Sequence, residues 1–246
     1  MFTEQERASL RDALVAAARA DERIGGVALT GSGAVGAEDE WSDIDLAFGL
    51  KHGVDQSEVI ADWTKMMYDE HEVIHHTDMR SRGTVYRVFL LANTLQVDIA
   101  FAPRVEFGAR AATFRLLFGE AVEQVPFGEP AAVELIGMGW LYALHARSSI
   151  ARGKVWQAEY MISGLRDQAL ALACLRLGFP SSQGRGLHLL PQATTAALEP
   201  TLVRSVDPTE LTRAFRAAVV VLLAEVELVE PAVAARLEGP LRELAR

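Results

Sequence analysis

The chain has 246 residues, 50% of them hydrophobic and 23% charged, an ordinary globular composition that is long enough for one large or two small domains. Its 33 acidic residues outnumber 24 basic ones for a formal net charge of -9, which tells against a protein that coats phosphate backbones but leaves room for a small phosphate ligand held through a metal ion. The single cysteine, Cys174, lies in the apolar run Ala169–Leu177, so an internal disulfide is excluded, a thiolate zinc site is implausible, and the residue reads as a small buried hydrophobe.

Taken in chain order, Glu4 to Ala20 predicts an amphipathic helix, with Leu10, Leu14, Val15 and Ala18 at helical spacing. Its acidic start lacks the apolar stretch of a secretory signal, so a cytoplasmic location is expected. Arg23 to Thr30 reads as a strand running into the turn Gly31-Ser32-Gly33, a polar loop spans Gly36 to Ser42, and Ile44 to Leu50 reads as a second strand. Ser57 to Tyr68 predicts a helix through Val59, Trp63, Met66 and Met67. Three further strands follow at Glu72 to Thr77, Thr84 to Ala92 and Leu95 to Ala102, the last two joined by the turn Asn93-Thr94. Phe114 to Val125 fits either a helix end or a short hairpin.

From Ala131 the pattern is helical: Ala131 to Arg152, Val155 to Leu177, Gly186 to Leu198, Pro208 to Val229 and Pro231 to Ala245. Asp207 is placed to cap the helix that begins at Pro208. The expected fold class is therefore α+β: a mixed-sheet domain over residues 1–106, a connecting segment over 107–130, and an α-helical bundle over 131–246. The most apolar stretch, Ala217 to Leu223, is far too short to span a bilayer.

The chemistry concentrates in Gly31-Ser32, followed by Ser42-Asp43-Ile44-Asp45 at a strand start. Side chains two apart on a strand share a face, so Asp43 and Asp45 point together. Like charges held side by side repel unless a cation sits between them or one takes up a proton, which suggests a hard divalent ion such as magnesium. A third acid, Asp98, interrupts the apolar strand Gln96-Val97-Asp98-Ile99-Ala100. Gly31 and Gly33 allow a sharp turn and close approach of the backbone to a ligand, while Ser32 offers a hydroxyl and an amide to phosphate oxygens.

Either motif alone is weak. In this order they resemble the signature of the DNA polymerase β-like nucleotidyltransferase superfamily, most of all its small bacterial aminoglycoside and lincosamide members, over Val27 to Leu50 and Leu95 to Phe101. The resemblance implies that Asp43, Asp45 and Asp98 are catalytic metal ligands for two magnesium ions, and that Gly31, Ser32 and Ser42 contact the nucleotide. It further implies ATP or another nucleoside triphosphate as co-substrate and an EC 2.7.7-type transfer of AMP onto a hydroxyl of a small molecule. That acceptor would lie between the two halves, and an antibiotic-resistance role would follow. The stretch Arg152 to Tyr160 followed by Gly164-Leu165-Arg166-Asp167 is similar to the helix pair of those enzymes, which nominates Glu159 as general base. Glu159 and Arg166 as plain solvated helix residues account for the segment equally well.

Other candidates carry less. Trp156 and Tyr160, one helical turn apart, read as core, and His145 and His188 read as packed among apolar neighbours. His75 and His76 face opposite ways on a strand, which tells against a zinc site. Arg80, Arg82 and Arg87 could touch a nucleotide phosphate or serve solubility alone. No nucleic-acid or membrane partner is expected, and a homodimer is compatible with the sequence. Two rival readings stand beside transfer to a small molecule. One is nucleotidylation of a protein partner, as in the antitoxin-like members of the superfamily, and the other is a non-catalytic nucleotide-binding relative.

Overall fold

The computed structural model describes residues 1–126 and 128–246, in two compact units, Met1–Phe127 and Gly128–Arg246. The first is a mixed six-stranded sheet with helices and the second is helical, so the chain is α+β. No described helix is long and apolar enough to cross a membrane.

In the first unit, helix α1 (Glu4–Ala20) opens with a capping box in which Thr3 and Glu6 satisfy each other's backbone amides. Strand β1 (Ile24–Thr30) leads directly into the short helix α2 (Gly31–Val35), and β2 (Ile44–Leu50) follows the polar loop. Helix α3 (Gln56–Glu70), whose first amides are capped by Asp55, carries the chain to the far edge of the sheet. There β3 (Val73–Ser81), β4 (Thr84–Leu91) and β5 (Gln96–Pro103) form a meander. The order is β3-β4-β5-β2-β1-β6; only β2 and β5 run parallel, and the neighbouring pairs otherwise are antiparallel.

The sixth strand, β6 (Phe114–Gly119), pairs with β1 at the sheet edge. It falls within residues 107–130, which sequence pattern alone read as a connector. Its half-exposed apolar residues form no clean alternation, so only pairing with β1 distinguishes it from a loop.

The two faces of this sheet differ in kind. Residues of one parity, among them Leu29, Leu46, Phe48, Phe89, Val97, Ile99 and Phe101, pack with Leu14, Ala18, Val59, Trp63 and Met67 of α1 and α3 into the main core. The opposite parity carries the small residues Ala28, Ala47, Ala100 and Ala102, gathered around Phe107. Gly49 makes room there, since a β-carbon at that position would lie 2.5 Å from the Phe107 ring. Burying large side chains on the helix face stabilises the unit by roughly 1.5–3 kcal/mol each. The small-residue face is left shallow, and its strand ends carry the acids.

The second unit is built on α4 (Ala132–Ala151), α5 (Val155–Leu177), α7 (Pro208–Val229) and α8 (Pro231–Leu244), with the short α6 (Gln192–Leu198) between α5 and α7. Leu135, Ala143, Ile162, Leu165, Leu172, Phe215, Leu222 and Val226 form its core. The helix expected over 186–198 is broken: Leu187–Leu189 is a 3-10 turn, and Pro191, which precedes α6, prevents continuation. Asp207 caps α7 by accepting from the amides of Thr209 and Glu210.

Several sequence expectations for side chains are corrected. Trp156 and Tyr160 are 73% and 64% exposed, not core, because α5 turns its alanines and leucines to its neighbours and these two aromatics to solvent. His145 and His188 are likewise exposed instead of packed. Cys174 is buried as expected, and burial raises its thiol pKa.

Candidate active site

The alternation of β2 and β5 places the acids. Asp45 pairs with Asp98 across the parallel register of the two strands, and both lie on the small-residue face with Ala47 and Ala100. Asp43 sits one residue before β2 begins, where the chain leaves the polar loop. One carboxylate oxygen from each of Asp43, Asp45 and Asp98 can be chosen so that all lie within 4.8 Å of one another, and all three residues are half-buried.

Repulsion within such a group must be answered. Burial lifts the pKa of Asp98 to about 6; a hydrogen bond from Gln96 opposes this, and the neighbouring Asp43 carboxylate adds to it. The Gln96 side-chain amide donates at 3.0 Å to Asp98 Oδ1 and at 3.2 Å to Asp43 Oδ2. A neutral donor thus bridges two carboxylates at a place that suits positive charge. All the oxygens are hard donors of the kind that magnesium prefers, so these residues fit a divalent ion.

The turn beside them is equally specific. Gly31 opens α2 with φ of 57°, and a β-carbon there would collide with the Asp45 carboxylate, lying 2.9 Å from its Cγ. The glycine is therefore required twice, by a left-handed backbone and by the close approach of an acid. Ser32 is half-buried in the single turn that follows. Ser42 is occupied within the loop: its hydroxyl donates to Asp39 Oδ1 and accepts from the Asp39 amide, each at 2.9 Å.

Beneath that loop lies Arg7 of α1, only 5% exposed. Its Nη1 donates to the carbonyl of Ser42 at 3.1 Å and, in a short contact, to that of Asp39. Arg115 of β6 reaches the carbonyl of Gly33 at 3.0 Å.

Gln96, Arg7 and Arg115 were not singled out by sequence. A period-2 reading back from Asp98 would have found Gln96. An arginine seven residues before Leu14, on the apolar stripe of α1, would have flagged Arg7. For Arg115, paired to β1 from the edge, no local signal exists.

The arginines proposed as phosphate contacts fare differently. Arg87 stands opposite Ile99, a core-face residue. Its Nε and Nη2 donate to Asp78 at 2.7 and 2.8 Å, and Nη1 makes a hydrogen bond to Thr64 of α3 at 2.5 Å. It therefore points away from the acids. Arg80 faces the same way by register and lies 3.9 Å from Asp78. Arg82 occupies the β3–β4 turn with φ of 55°.

Glu159 belongs to the second unit. It is half-buried on α5 and accepts from the Ser163 hydroxyl at 2.7 Å.

No known family model matches the chain, and no curated protein matches it. Among solved structures it is similar to an aminoglycoside 6-adenyltransferase from Bacillus subtilis, at 12% identity and a TM-score of 0.44, with 99% of each chain covered.

Proposed function

We propose that this protein is a magnesium-dependent nucleotidyltransferase that moves AMP from ATP onto a hydroxyl of a small molecule and releases pyrophosphate. The observation that carries this reading is the convergence of Asp43, Asp45 and Asp98 within 4.8 Å beside the Gly31-Ser32 turn. In the reaction, the acceptor oxygen bonds to the α-phosphorus, the bond from that phosphorus to the pyrophosphate oxygen breaks, and the hydroxyl proton passes to a base. Magnesium held by Asp43, Asp45 and Asp98 would supply the positive charge that offsets the charge on the attacking and leaving oxygens.

The protein's own residues have separable roles. Asp43, Asp45 and Asp98 hold the metal. Gly31 and Ser32 present backbone and hydroxyl donors to the triphosphate, while Ser42, expected from sequence as a further nucleotide contact, has its polar groups engaged within the loop and acts by shaping the approach to Asp43. Glu159, as general base, would take the acceptor's proton. An aminoglycoside or lincosamide is the acceptor class, and the net charge of -9 favours encounter with a polycationic aminoglycoside.

The test is incubation with magnesium, α-labelled ATP or other nucleoside triphosphates, and a panel of antibiotics, followed by lysate proteins. Label on an aminoglycoside or lincosamide is expected. Label only on protein would transfer the proposal to a protein acceptor, and absence of pyrophosphate release in every arm would sink catalysis. Asp43→Ala and Asp45→Ala should each reduce transfer to background while leaving the circular dichroism spectrum unchanged; turnover in either removes its metal-ligand role.

A further inference from the structure

We infer that Arg7 is the positioning residue that sets Asp43 for metal binding, an inference that rests on the proposed metal site. Asp43 is the one acid of the three that no strand holds, since β2 begins at Ile44. Its place depends on the loop that precedes it.

That loop is stapled at its tip and gripped from below. Asp39 and Ser42 bond to each other through side chain and backbone, with the Ser42 amide also donating to the Asp39 carbonyl at 3.2 Å. The carbonyls at the two ends of this staple both accept from Arg7 Nη1. The Ser42 carbonyl belongs to the peptide group that joins Ser42 to Asp43. A shift of Arg7 is therefore a shift of the Asp43 backbone.

The arginine is itself fixed. It is the one charged residue buried among the described residues of the first unit, and its Nε lies 3.7 Å from Glu38 Oε1. That Nε is the one buried side-chain nitrogen or oxygen among the described residues without a hydrogen bond. Glu38 is in turn held by Arg11, whose Nη1 donates to its two oxygens at 3.1 and 2.9 Å. Burying a guanidinium with an unsatisfied N–H is costly. A loop needing only to be closed could be served by a surface side chain. The arrangement makes sense where the loop must hold one acid in register with two that the sheet already fixes.

Arg11 supplies the control, because it shares the helix and the Glu38 partner but has no bond to the loop carbonyls. The experiment is titration of Mn2+ into the full-length protein by calorimetry, well below the melting temperature, for wild type, Arg7→Met, Arg7→Lys and Arg11→Met. Arg7→Met should weaken Mn2+ binding by about 10–100-fold, the usual effect of losing a residue that orients a ligand, with an unchanged circular dichroism spectrum. Arg7→Lys, which keeps the charge and a donor, should give an intermediate value, and Arg11→Met, which reaches Arg7 only through Glu38, should weaken binding far less than Arg7→Met even if its melting temperature falls.

Wild-type affinity in Arg7→Met overturns the inference. So does equal weakening in Arg11→Met, which would make the effect one of general stability. If Arg7→Met does not fold, wild-type affinity in Arg7→Lys overturns it instead. Absence of Mn2+ binding by the wild-type protein would remove the metal site and this inference together, an outcome distinct from the others.

Discussion

Asp98 carries a cost that only its proposed task explains. Half-buried on the sheet face, and beside Asp43, its carboxyl has a pKa raised to about 6, so at neutral pH the ionised form is held against its environment. Asn in its place keeps the shape and an acceptor for the Gln96 amide while removing the charge. Asp98→Asn should therefore be more stable than wild type in EDTA at pH 7.5, by about 1 kcal/mol once solvent screening of the partly exposed carboxylate is allowed for, and so melt higher, the exchange of stability for function seen at many sites. It should also lose the thermal shift that magnesium gives the wild-type protein. Calorimetric scans with and without magnesium check both; a melting temperature below wild type in EDTA would contradict the account of Asp98 as strained. The pairing of Asp43 with Asp45 was legible in the sequence, because alternation puts residues two apart on one face, whereas the meeting of Asp98 with them was only implied by the resemblance, since it depends on the β2–β5 register. The Gly31 requirement was legible only in part: the turn was expected, but not that an Asp45 carboxylate fills the space where a β-carbon would be.

At the scale of elements, the end of α1 and the start of β1 are tied to the middle of α3 around one acid. Asp21 accepts from Arg23 Nε and Nη2 at 3.0 and 2.9 Å and from the Trp63 indole at 3.0 Å, while Arg23 Nη1 reaches Asp62 at 2.6 Å. The Arg23 side chain is the main reason that the Asp21 pKa falls from 3.8 to about 2. A carboxyl depressed in the folded state contributes stability that is fully present above its ordinary pKa and is lost as pH falls through the folded value. The urea midpoint of the wild-type protein should therefore drop between about pH 4 and pH 2 more steeply than that of Asp21→Asn, followed by tryptophan fluorescence. Parallel slopes would show that the cluster contributes nothing to acid stability.

Elements themselves were well marked in the sequence where local chemistry is strong. The limits of α1, β2, α5 and α7 coincide with periodic runs closed by caps, glycine or proline. The helix over 186–198 was misjudged at Pro191, and β6 could not be told from a helix end because its pairing partner lies far away in sequence. The arginines show the same limit. Arg87 looked available for phosphate until its register opposite Ile99 placed it against Asp78 and α3.

At the scale of the molecule, each compact unit has its own core, one around Phe48 and Phe101 and one around Leu165 and Leu222. Residues 128–246 expressed alone should be helical by circular dichroism and unfold in a single cooperative urea transition. A gradual, non-cooperative loss of signal would show that this core is insufficient by itself. By itself the sequence determined the α+β class, the succession of elements, and the pairing of Asp43 with Asp45 after a Gly-Ser turn, because caps, turns and periodicity act over a few residues. Only the tertiary structure decided that β6 joins the sheet, that Arg87 faces away from the acids, that Trp156 and Tyr160 are exposed, and that Gln96 and Arg7 stand beside and beneath Asp43. Those outcomes depend on pairing between strands and on which side chains meet across elements distant in the chain, and no local pattern encodes them.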